Sequence, residues 1–209
     1  MNKLLELSRL YRMNGFWGTL QRIKLRYFSV VDFILYRWDL WEDFQGIELG
    51  PEYTMVRDDF TLLNRIRSSR NDLPREFYAD RIYGGKHFYL VLKNGEAAYI
   101  HWVFFKGDYS RFFVLNDHSA EVNYNTNLPG FTGDKLMAKV MNRIGKDMKE
   151  AGYKVMVGAV TKKNMRSHKS MARTGFKPYV KSQTVCSFVT TKLEALPPAS
   201  RPACGACDG

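Results

Sequence analysis

The sequence predicts an α/β (α+β) domain in which helices flank a mixed β-sheet. Runs rich in β-branched and aromatic residues alternate with amphipathic runs of helical period along the 209 residues. Two of the strand-like runs are separated by Asn94-Gly95, a pair that favours a tight hairpin turn. The length and the 45% hydrophobic content suffice for one core plus an extension, and are too small for two full domains.

The first half of the domain is predicted as two strands, two helices and a hairpin. One strand begins near residue 31 (VVDFILYRWDL) and the next spans Glu48 to Arg57. Asp58 is expected to cap the helix DDFTLLNRIRSS, because a carboxylate accepts from the free N–H groups at a helix start. Asp72 or Pro74 opens a second helix, LPREFYADRIYG, which ends at Gly84-Gly85. The hairpin HFYLVLKNGEAAYIHWVFF follows.

The second half is predicted as strand, helix, strand, helix and strand. A strand around Ser119 to Asn127 leads through the turn LPGFTGD to the helix KLMAKVMNRIGKDMKEAG, whose apolar residues recur at helical spacing. The strand KVMVGAV comes next. In KKNMRSHKSMARTGFKPY, Asn164 is predicted to cap a short basic helix that runs to Thr174, and Gly175 to end it in the left-handed conformation. Strand residues follow from Phe176 onward.

The charge is strongly positive and unevenly distributed. The formal net charge is +11 and the isoelectric point is near 9.6. Residues 135 to 181 contain thirteen lysines and arginines against Asp147 and Glu150. This balance predicts affinity for an anionic partner, which charge alone leaves open among phosphate-rich ligands, nucleic acid, acidic carrier proteins and membranes.

Several functional classes lack their sequence signals. The four histidines show no metal-ligand spacing, and the CGAC pair lies alone in a Pro- and Ala-rich tail, so we expect no metal. No phosphate-binding P-loop, dinucleotide fingerprint, serine nucleophile elbow or RNA-stacking motif is present, and we expect no nucleic-acid partner. With three cysteines, no secretory signal and no apolar run of about 20 residues, the expected location is the cytoplasm.

Three regions are predicted along the chain. Residues 1–30 form a basic amphipathic helical extension, residues 31–193 the α/β domain, and residues 194–209 a disordered tail. Two interpretations of residues 1–28 stay open. The apolar stripe packs on the protein or a partner subunit, or it contacts the inner face of an anionic membrane.

The order of elements and two local motifs resemble the GCN5-related N-acetyltransferase (GNAT) superfamily over roughly residues 50 to 190. The resemblance implies a mostly antiparallel mixed sheet and acetyl-CoA or another acyl-CoA as donor. LPGFTGDKLMAKVM occupies the place of the turn that holds the cofactor pyrophosphate. Asn164, Ser167 and Gly175-Phe176 match the helix that packs beside the pantetheine arm. The basic N-terminal segment also resembles bacterial members linked to surface polysaccharide production.

The resemblance implies a set of site residues. Backbone N–H groups near Asn125 and Thr126 would polarise the thioester carbonyl. The pyrophosphate would lie on a helix start, where free N–H groups and partial positive charge favour anions. The implied cofactor-binding residues are Asn125, Thr126, Gly130, Phe131, Thr132, Gly133, Asp134, Lys135, Asn164 and Ser167. The usual small residues of the pyrophosphate turn are replaced here, since Lys135 and Met137 stand in their places.

Amide formation also requires a base and an acid. Glu121 is the predicted base, since it lies on the strand next to the expected acceptor entrance, although it could instead be a solubilising residue. His101 is a second candidate that could equally be a core residue. Met171 stands where many members have a proton-donating tyrosine, so Tyr179 and Ser170 are the predicted replacement acids, with water as an alternative. Tyr124 could line the acceptor cleft or simply pack.

The resemblance therefore implies an N-acyltransferase that moves an acyl group from acyl-CoA to a primary amine, with an amino sugar or a lipid-linked precursor as the suggested acceptor. Two alternatives stay open. The first is an N-acyl amino acid synthase that takes its acyl group from an acyl carrier protein docked on the basic surface. The second is a catalytically inactive fold of this type that binds an anionic membrane. The oligomeric state is left undetermined.

Overall fold

The computed structural model describes residues 30–43, 46–185, 188–189 and 193–194, which form a sheet with helices on both faces. The predicted extension (1–30) and tail (194–209) lie outside these residues, except for Val30 and Glu194. In chain order the elements are β1 (Val30–Asp39), β2 (Tyr53–Arg57), α1 (Phe60–Ser69), a 3₁₀ helix (Arg75–Tyr78), α2 (Ala79–Tyr83), β3 (His87–Lys93), β4 (Glu96–Phe104), β5 (Phe113–Val114), β6 (Ser119–Asn127), α3 (Leu136–Glu150), β7 (Val155–Thr161), α4 (Met165–Met171), β8 (Lys177–Val185), β9 (Phe188–Val189) and β10 (Leu193–Glu194).

The main sheet has the order β2-β3-β4-β6-β7-β1-β8-β9. Its neighbouring strands are antiparallel except for β6 and β7, which are parallel. This arrangement confirms the predicted mixed, mostly antiparallel sheet. The short strands β5 and β10 pair separately. They were not predicted, because two residues are too few to show a strand period.

The first strand lies in the interior of the sheet, between β7 and β8. Phe33 and Leu35 pack on one face with Phe112 and Phe113, while Tyr36 and Trp38 pack on the other face against α3. Both faces of β1 are therefore buried, which explains its nearly continuous apolar sequence.

Two separate groups of helices cover the two faces of the sheet. Val122, Val103 and Tyr99 share one face with the apolar residues of α3, such as Val140 and Ile144. Because side chains alternate along a strand, the intervening residues of β4 point to the opposite face, where they pack on α1, the 3₁₀ helix and α2. We refer to these as the α3 face and the α1 face.

The local predictions hold in part. Asn94 and Gly95 have φ of 50° and 84°, as the hairpin turn requires. The cap of α1 is Asp59, whose carboxylate accepts from the Leu62 N–H at 2.8 Å, so the prediction of Asp58 was wrong by one residue. Asp58 instead accepts from the Phe88 N–H at 2.7 Å and thereby ties the helix start to β3.

The prediction for Gly175 was right about the residue type and wrong about its cause. The α4 helix ends at Met171, and Gly175 is not among the described residues with positive φ. A Cβ at Gly175 would instead lie 2.1 Å from Nε1 of Trp38. A Cβ at Gly145 of α3 would lie 2.4 Å from Cη2 of the same ring. Both glycines are required because the indole of Trp38 fills the space between α3 and the segment after α4.

No helix in the described part of the chain combines the length and the hydropathy needed to cross a membrane.

Candidate functional site

The central strands β6 and β7 separate along their length. They pair only at Ser119–Glu121 with Val155–Val157. Beyond this point β6 continues with β4 as far as Asn127, and β7 continues with β1 as far as Thr161. A gap therefore opens in the middle of the sheet between the second halves of the two strands.

A backbone irregularity in β6 lies at this gap. Trp102 of β4 pairs with Asn123 and Ile100 pairs with Thr126, so two residues of β6 face one residue of β4. Tyr124 has φ of 47°. Such a bulge bends the strand and redirects its side chains, and it is a common feature next to functional sites. The Asn123 side-chain oxygen accepts from the Tyr124 N–H at 2.8 Å and stabilises this conformation.

A cavity of about 270 Å³ lies at the gap and is lined by residues from both faces of the sheet. The alternation of side chains places one group on the α3 face: His101, Val122, Met137, Val160, Asn164, Ser167 and Met171. It places a second group on the α1 face: Phe33, Arg75, Glu76, Arg111, Phe112, Asn123 and Ala159. Two ligands can therefore meet in the sheet from opposite sides.

The helix α4 is fixed beside the cavity by three contacts. The Asn164 side chain caps it by accepting from the Ser167 N–H at 3.2 Å, which confirms the predicted cap. Nε2 of His168 donates to the Thr161 carbonyl at 3.1 Å, and Nδ1 shares a 2.7 Å hydrogen bond with the Tyr36 hydroxyl. These bonds tie α4 to the end of β7 and to Tyr36 within β1, and they hold Ser167 at the cavity wall.

The turn before α3 carries the predicted pyrophosphate residues. Gly130 has φ of 92°, and Lys135 has φ of 54° at the N-cap of α3, a rare conformation for a side chain of this size. No side chain in the described part of the chain caps this helix start. A Cβ at Gly133 would meet no atom within 4 Å, so the turn is open there.

The two bulky residues of this turn have different positions. Lys135 is exposed, whereas Met137 is buried, packs in the core and lines the cavity. Asp134 accepts hydrogen bonds from the Tyr53 hydroxyl and from Lys93, whose Nζ lies 3.1 Å away. These bonds, first that of Tyr53 and then that of Lys93, lower the pKa of Asp134. Its carboxylate is thus held by two hydrogen-bond donors at the start of α3.

His101 is completely buried and lines the cavity. Nδ1 shares a 2.8 Å hydrogen bond with the Tyr99 hydroxyl, and Nε2 has no partner among the described residues. Burial lowers the pKa of His101 from 6.5 to about 3. The imidazole is therefore neutral near neutral pH and suited to hydrogen bonding more than to carrying a proton.

This burial predicts a pH dependence of stability. The folded pKa of His101 lies below the unfolded value, so the unfolded chain binds more protons once the pH falls below about 6.5. We expect the free energy of unfolding to decrease on acidification by up to about 1.4 kcal/mol per pH unit from this group. Urea unfolding at several pH values should show a smaller decrease for His101→Gln. His118→Gln, which changes an exposed loop residue, should keep the wild-type slope. Equal slopes for all three proteins would contradict the assignment.

Glu121 lies beneath the cavity and not at its surface. It is only 1% exposed, so the alternative of a solubilising edge residue does not apply. Its Oε1 accepts from Nδ2 of Asn123 at 3.0 Å, and it is Asn123 that lines the cavity.

The other predicted site residues are distributed unevenly. Asn125, Asn164 and Ser167 line the cavity together with His101 and Tyr124. Thr126 follows on β6, and Gly130, Phe131, Thr132, Gly133, Asp134 and Lys135 form the turn before α3. Ser170 is on α4 but is not part of the wall, and Tyr179 is 48% exposed on β8, next to Arg37. The structure does not bring these two predicted acids to the cavity.

Sequence reasoning missed the wall on the α1 face. Arg75 and Glu76 come from the 3₁₀ helix, and Arg111 and Phe112 from the loop after β4. The two pairs belong to no motif and are far apart from each other in sequence. Only the charges of Arg75, Glu76 and Arg111, which are unusual next to buried aromatic residues, could have drawn attention to them.

Comparison with known proteins supports the fold. No protein-family model matches the sequence. No curated protein matches it. A GNAT-family acetyltransferase structure from Novosphingobium aromaticivorans superposes with a TM-score of 0.51 at 13% identity, covering 74% of this chain and 63% of that one. A GCN5-related N-acetyltransferase from Sphaerobacter thermophilus gives 0.54 at 9% identity, covering 80% and 55%.

A third similar structure is the GCN5-related glucosamine N-acetyltransferase region of a fungal multi-domain β-N-acetylglucosaminidase. It superposes with a TM-score of 0.55 at 9% identity, covering 74% of this chain and 20% of that one. The present chain thus spans less than two thirds of each of these proteins. It has the fold of the GCN5-related N-acetyltransferases, as the sequence predicted.

Proposed function

We propose that the protein is an N-acyltransferase that moves an acetyl or other acyl group from acyl-CoA to a primary amine. The observation that carries this proposal is the cavity that passes through the sheet where β6 and β7 separate. In acyl transfer the thioester and the amine must meet in one place, and holding two reactants in contact is a large part of catalysis. A cavity lined from both faces of the sheet would allow this meeting.

The donor fits the α3 face. Asn164 and Ser167 of α4 form one wall, with Met171 between them and the core, and the uncapped start of α3 lies at the end of β6. The free N–H groups at this helix start, Gly133 and the charge of Lys135 would hold the diphosphate. Gly130, Phe131 and Thr132, which belong to the same turn, would also form part of the cofactor site.

The amine fits the α1 face. The amine nitrogen forms a bond with the acyl carbon, the carbon–sulfur bond breaks, the amine loses a proton and the thiolate gains one. The backbone N–H groups near Asn125 and Thr126 lie in the part of β6 that has left β7, where they can stabilise the negative oxygen of the intermediate. Glu121 would take the amine proton through a water beside Asn123.

Protonation of the thiolate requires a different donor from the one predicted. Met171 is 2% exposed and lines the cavity without a proton to give. Tyr124, Thr161 and Ser167, which carry hydroxyl groups, line the cavity. Burial raises the pKa of Tyr124, so this phenol keeps its proton and can donate a hydrogen bond to the thiolate, but it is a weaker acid than the thiol that must form. A water in the cavity would therefore serve as the acid.

Titration with coenzyme A tests the proposal. We expect calorimetry to show binding of coenzyme A in the micromolar range. The diphosphate would contact the start of α3, and the pantetheine arm would contact α4. Release of free thiol from acetyl-CoA in the presence of a panel of amines should then show turnover. Binding of coenzyme A without thiol release would indicate a binding module and contradict the proposed enzyme. Absence of binding, combined with turnover from an acyl-loaded carrier protein, would overturn the acyl-CoA donor in favour of the carrier-protein alternative.

The acceptor class suggested by the sequence, an amino sugar or lipid-linked precursor, remains part of this proposal. The name of the fungal neighbour, a glucosamine N-acetyltransferase region, is consistent with an amino sugar. Contact of residues 1–28 with a membrane also remains a proposal, since these residues lie outside the described part of the chain.

A further inference from the structure

The α1 face of the cavity carries two arginines and a carboxylate. Arg75 and Glu76 belong to the 3₁₀ helix, and Arg111 belongs to the loop between β4 and β5. All three line the same cavity, on the side opposite α3 and α4. The chemistry proposed above assigns none of them a role.

Aromatic contacts fix these two walls relative to each other. Tyr83, at the end of α2, stacks on Tyr109 of the β4–β5 loop with 6.1 Å between ring centroids. It also stacks on Tyr124 at the cavity wall, at 4.0 Å and an interplanar angle of 12°. Phe33 and Phe112 hold Arg111, whose guanidinium carbon lies 5.5 Å from each ring centroid. These rings thus hold the Arg111 guanidinium at the cavity wall, while the Arg75 side chain is 73% exposed and is paired with Glu76.

Both arginines line the cavity together with Tyr124. Burial raises the pKa of Tyr124, and the nearby charge of Arg111 opposes the rise. The pKa of Arg75 is raised, chiefly by its hydrogen bond to Glu76 and to a smaller extent by Tyr83 and Tyr124. That bond, 3.1 Å long, uses Nε of Arg75. Among the described residues no acceptor is bonded to its two Nη groups, so the face of the guanidinium that binds anions in two-point contacts is available.

We propose that Arg75 and Arg111 form an anion-binding subsite, so that the acceptor is a primary amine that also carries a carboxylate or phosphate. The Glu76 carboxylate, at the same wall, would bind the ammonium form of the amine before it is deprotonated. Two chemical sources fit, α-amino acids and phosphorylated amino sugars. Polyamines do not fit, because two guanidinium groups would repel a second cation. This inference rests on the proposed acyltransferase function and defines its acceptor.

Matched acceptor pairs test the inference. Thiol release from acetyl-CoA is measured with glucosamine phosphate and glucosamine, and with an α-amino acid and its amide. We expect the anionic member of at least one pair to have a kcat/KM higher by roughly 10- to 100-fold, the range for losing a charge-assisted hydrogen bond. The pair that shows the difference identifies the source of the anion.

Substitution of the arginine separates binding of the anion from general damage. Arg111→Gln should remove most of the preference by raising the KM of the anionic acceptor, while the KM of acetyl-CoA stays unchanged. Arg111→Lys keeps the charge over the rings but loses the two-point contact. Its KM for the anionic acceptor should therefore lie between those of the wild type and Arg111→Gln. Arg65→Gln, which changes an exposed arginine of α1, is the matched control and should behave like the wild type. If Arg111→Gln does not fold, the KM of Arg111→Lys for the anionic acceptor still tests the inference.

The inference and the proposed function fail in different ways. If coenzyme A does not bind and no amine releases thiol, the acyltransferase proposal is overturned. If thiol is released equally well with neutral amines, or if Arg111→Lys and Arg111→Gln lower turnover of the paired acceptors to the same extent, the enzyme stands and the anion subsite is overturned. Titration of glucosamine phosphate into the coenzyme A-saturated protein adds a readout without turnover. Binding should be present in the wild type and weakened in Arg111→Gln if the phosphorylated sugar is the source.

Discussion

Trp38→Ala is expected to lower the free energy of unfolding by about 3–5 kcal/mol, as deletion of a large buried aromatic side chain commonly does. Trp38 is 4% exposed and lies between Gly145 of α3 and Gly175 after α4, with Phe176 in an edge contact at 5.6 Å. Since small domains are stabilised by only about 5–15 kcal/mol, the loss would be a large fraction of the total. Urea unfolding followed by far-ultraviolet circular dichroism measures it.

A double-mutant cycle tests whether the Trp38 ring is the reason that position 145 must be glycine. Gly145→Ala places a Cβ 2.4 Å from the indole and should cost about 1–3 kcal/mol, although alanine alone favours a helix by up to about 1 kcal/mol. In a Trp38→Leu background the same change should be neutral or stabilising, which gives a coupling energy of about 0.5–3 kcal/mol. If Gly145→Ala instead stabilises the wild-type protein, the Trp38 ring can move aside, and its close packing on Gly145 does not contribute to stability.

Ser167→Trp is expected to lower kcat/KM for acetyl-CoA by on the order of 100-fold or more, because small displacements of a bound reactant already cost this much. Ser167 is half-buried at the wall of the cavity, so an indole there would fill the path assigned to the pantetheine arm. The helix itself should survive, since the cap bond is made by the backbone N–H of residue 167. Thiol-release kinetics and coenzyme A calorimetry measure the two effects.

Lys169→Trp is the matched control for this variant. Lys169 is exposed on the same helix and does not line the cavity, so the same bulk should leave both donor binding and turnover close to wild type. Equal losses in the two variants would indicate damage to α4 as a whole. Undiminished coenzyme A binding by Ser167→Trp would place the donor elsewhere and contradict the proposed orientation of the two substrates.

Local signals in the sequence predicted most elements and several of the residues that line the cavity. Asn94-Gly95, the strand Ser119–Asn127 and the Asn164 cap each depend on neighbouring residues, and each is present in the structure. The wall formed by Arg75 and Arg111 was not predictable, because it depends on which loops the sheet order brings together. The role of Gly175 was also hidden, since its partner Trp38 is more than a hundred residues away.

The position of β1 has a consequence for how the chain acquires its structure during synthesis. Its two neighbours, β7 and β8, are translated more than a hundred residues later. Until they emerge from the ribosome, this very apolar segment has no edge to join, and contacts of such high sequence separation form slowly. The wall that β1 and β7 contribute to the cavity can therefore form only after most of the chain has been synthesised.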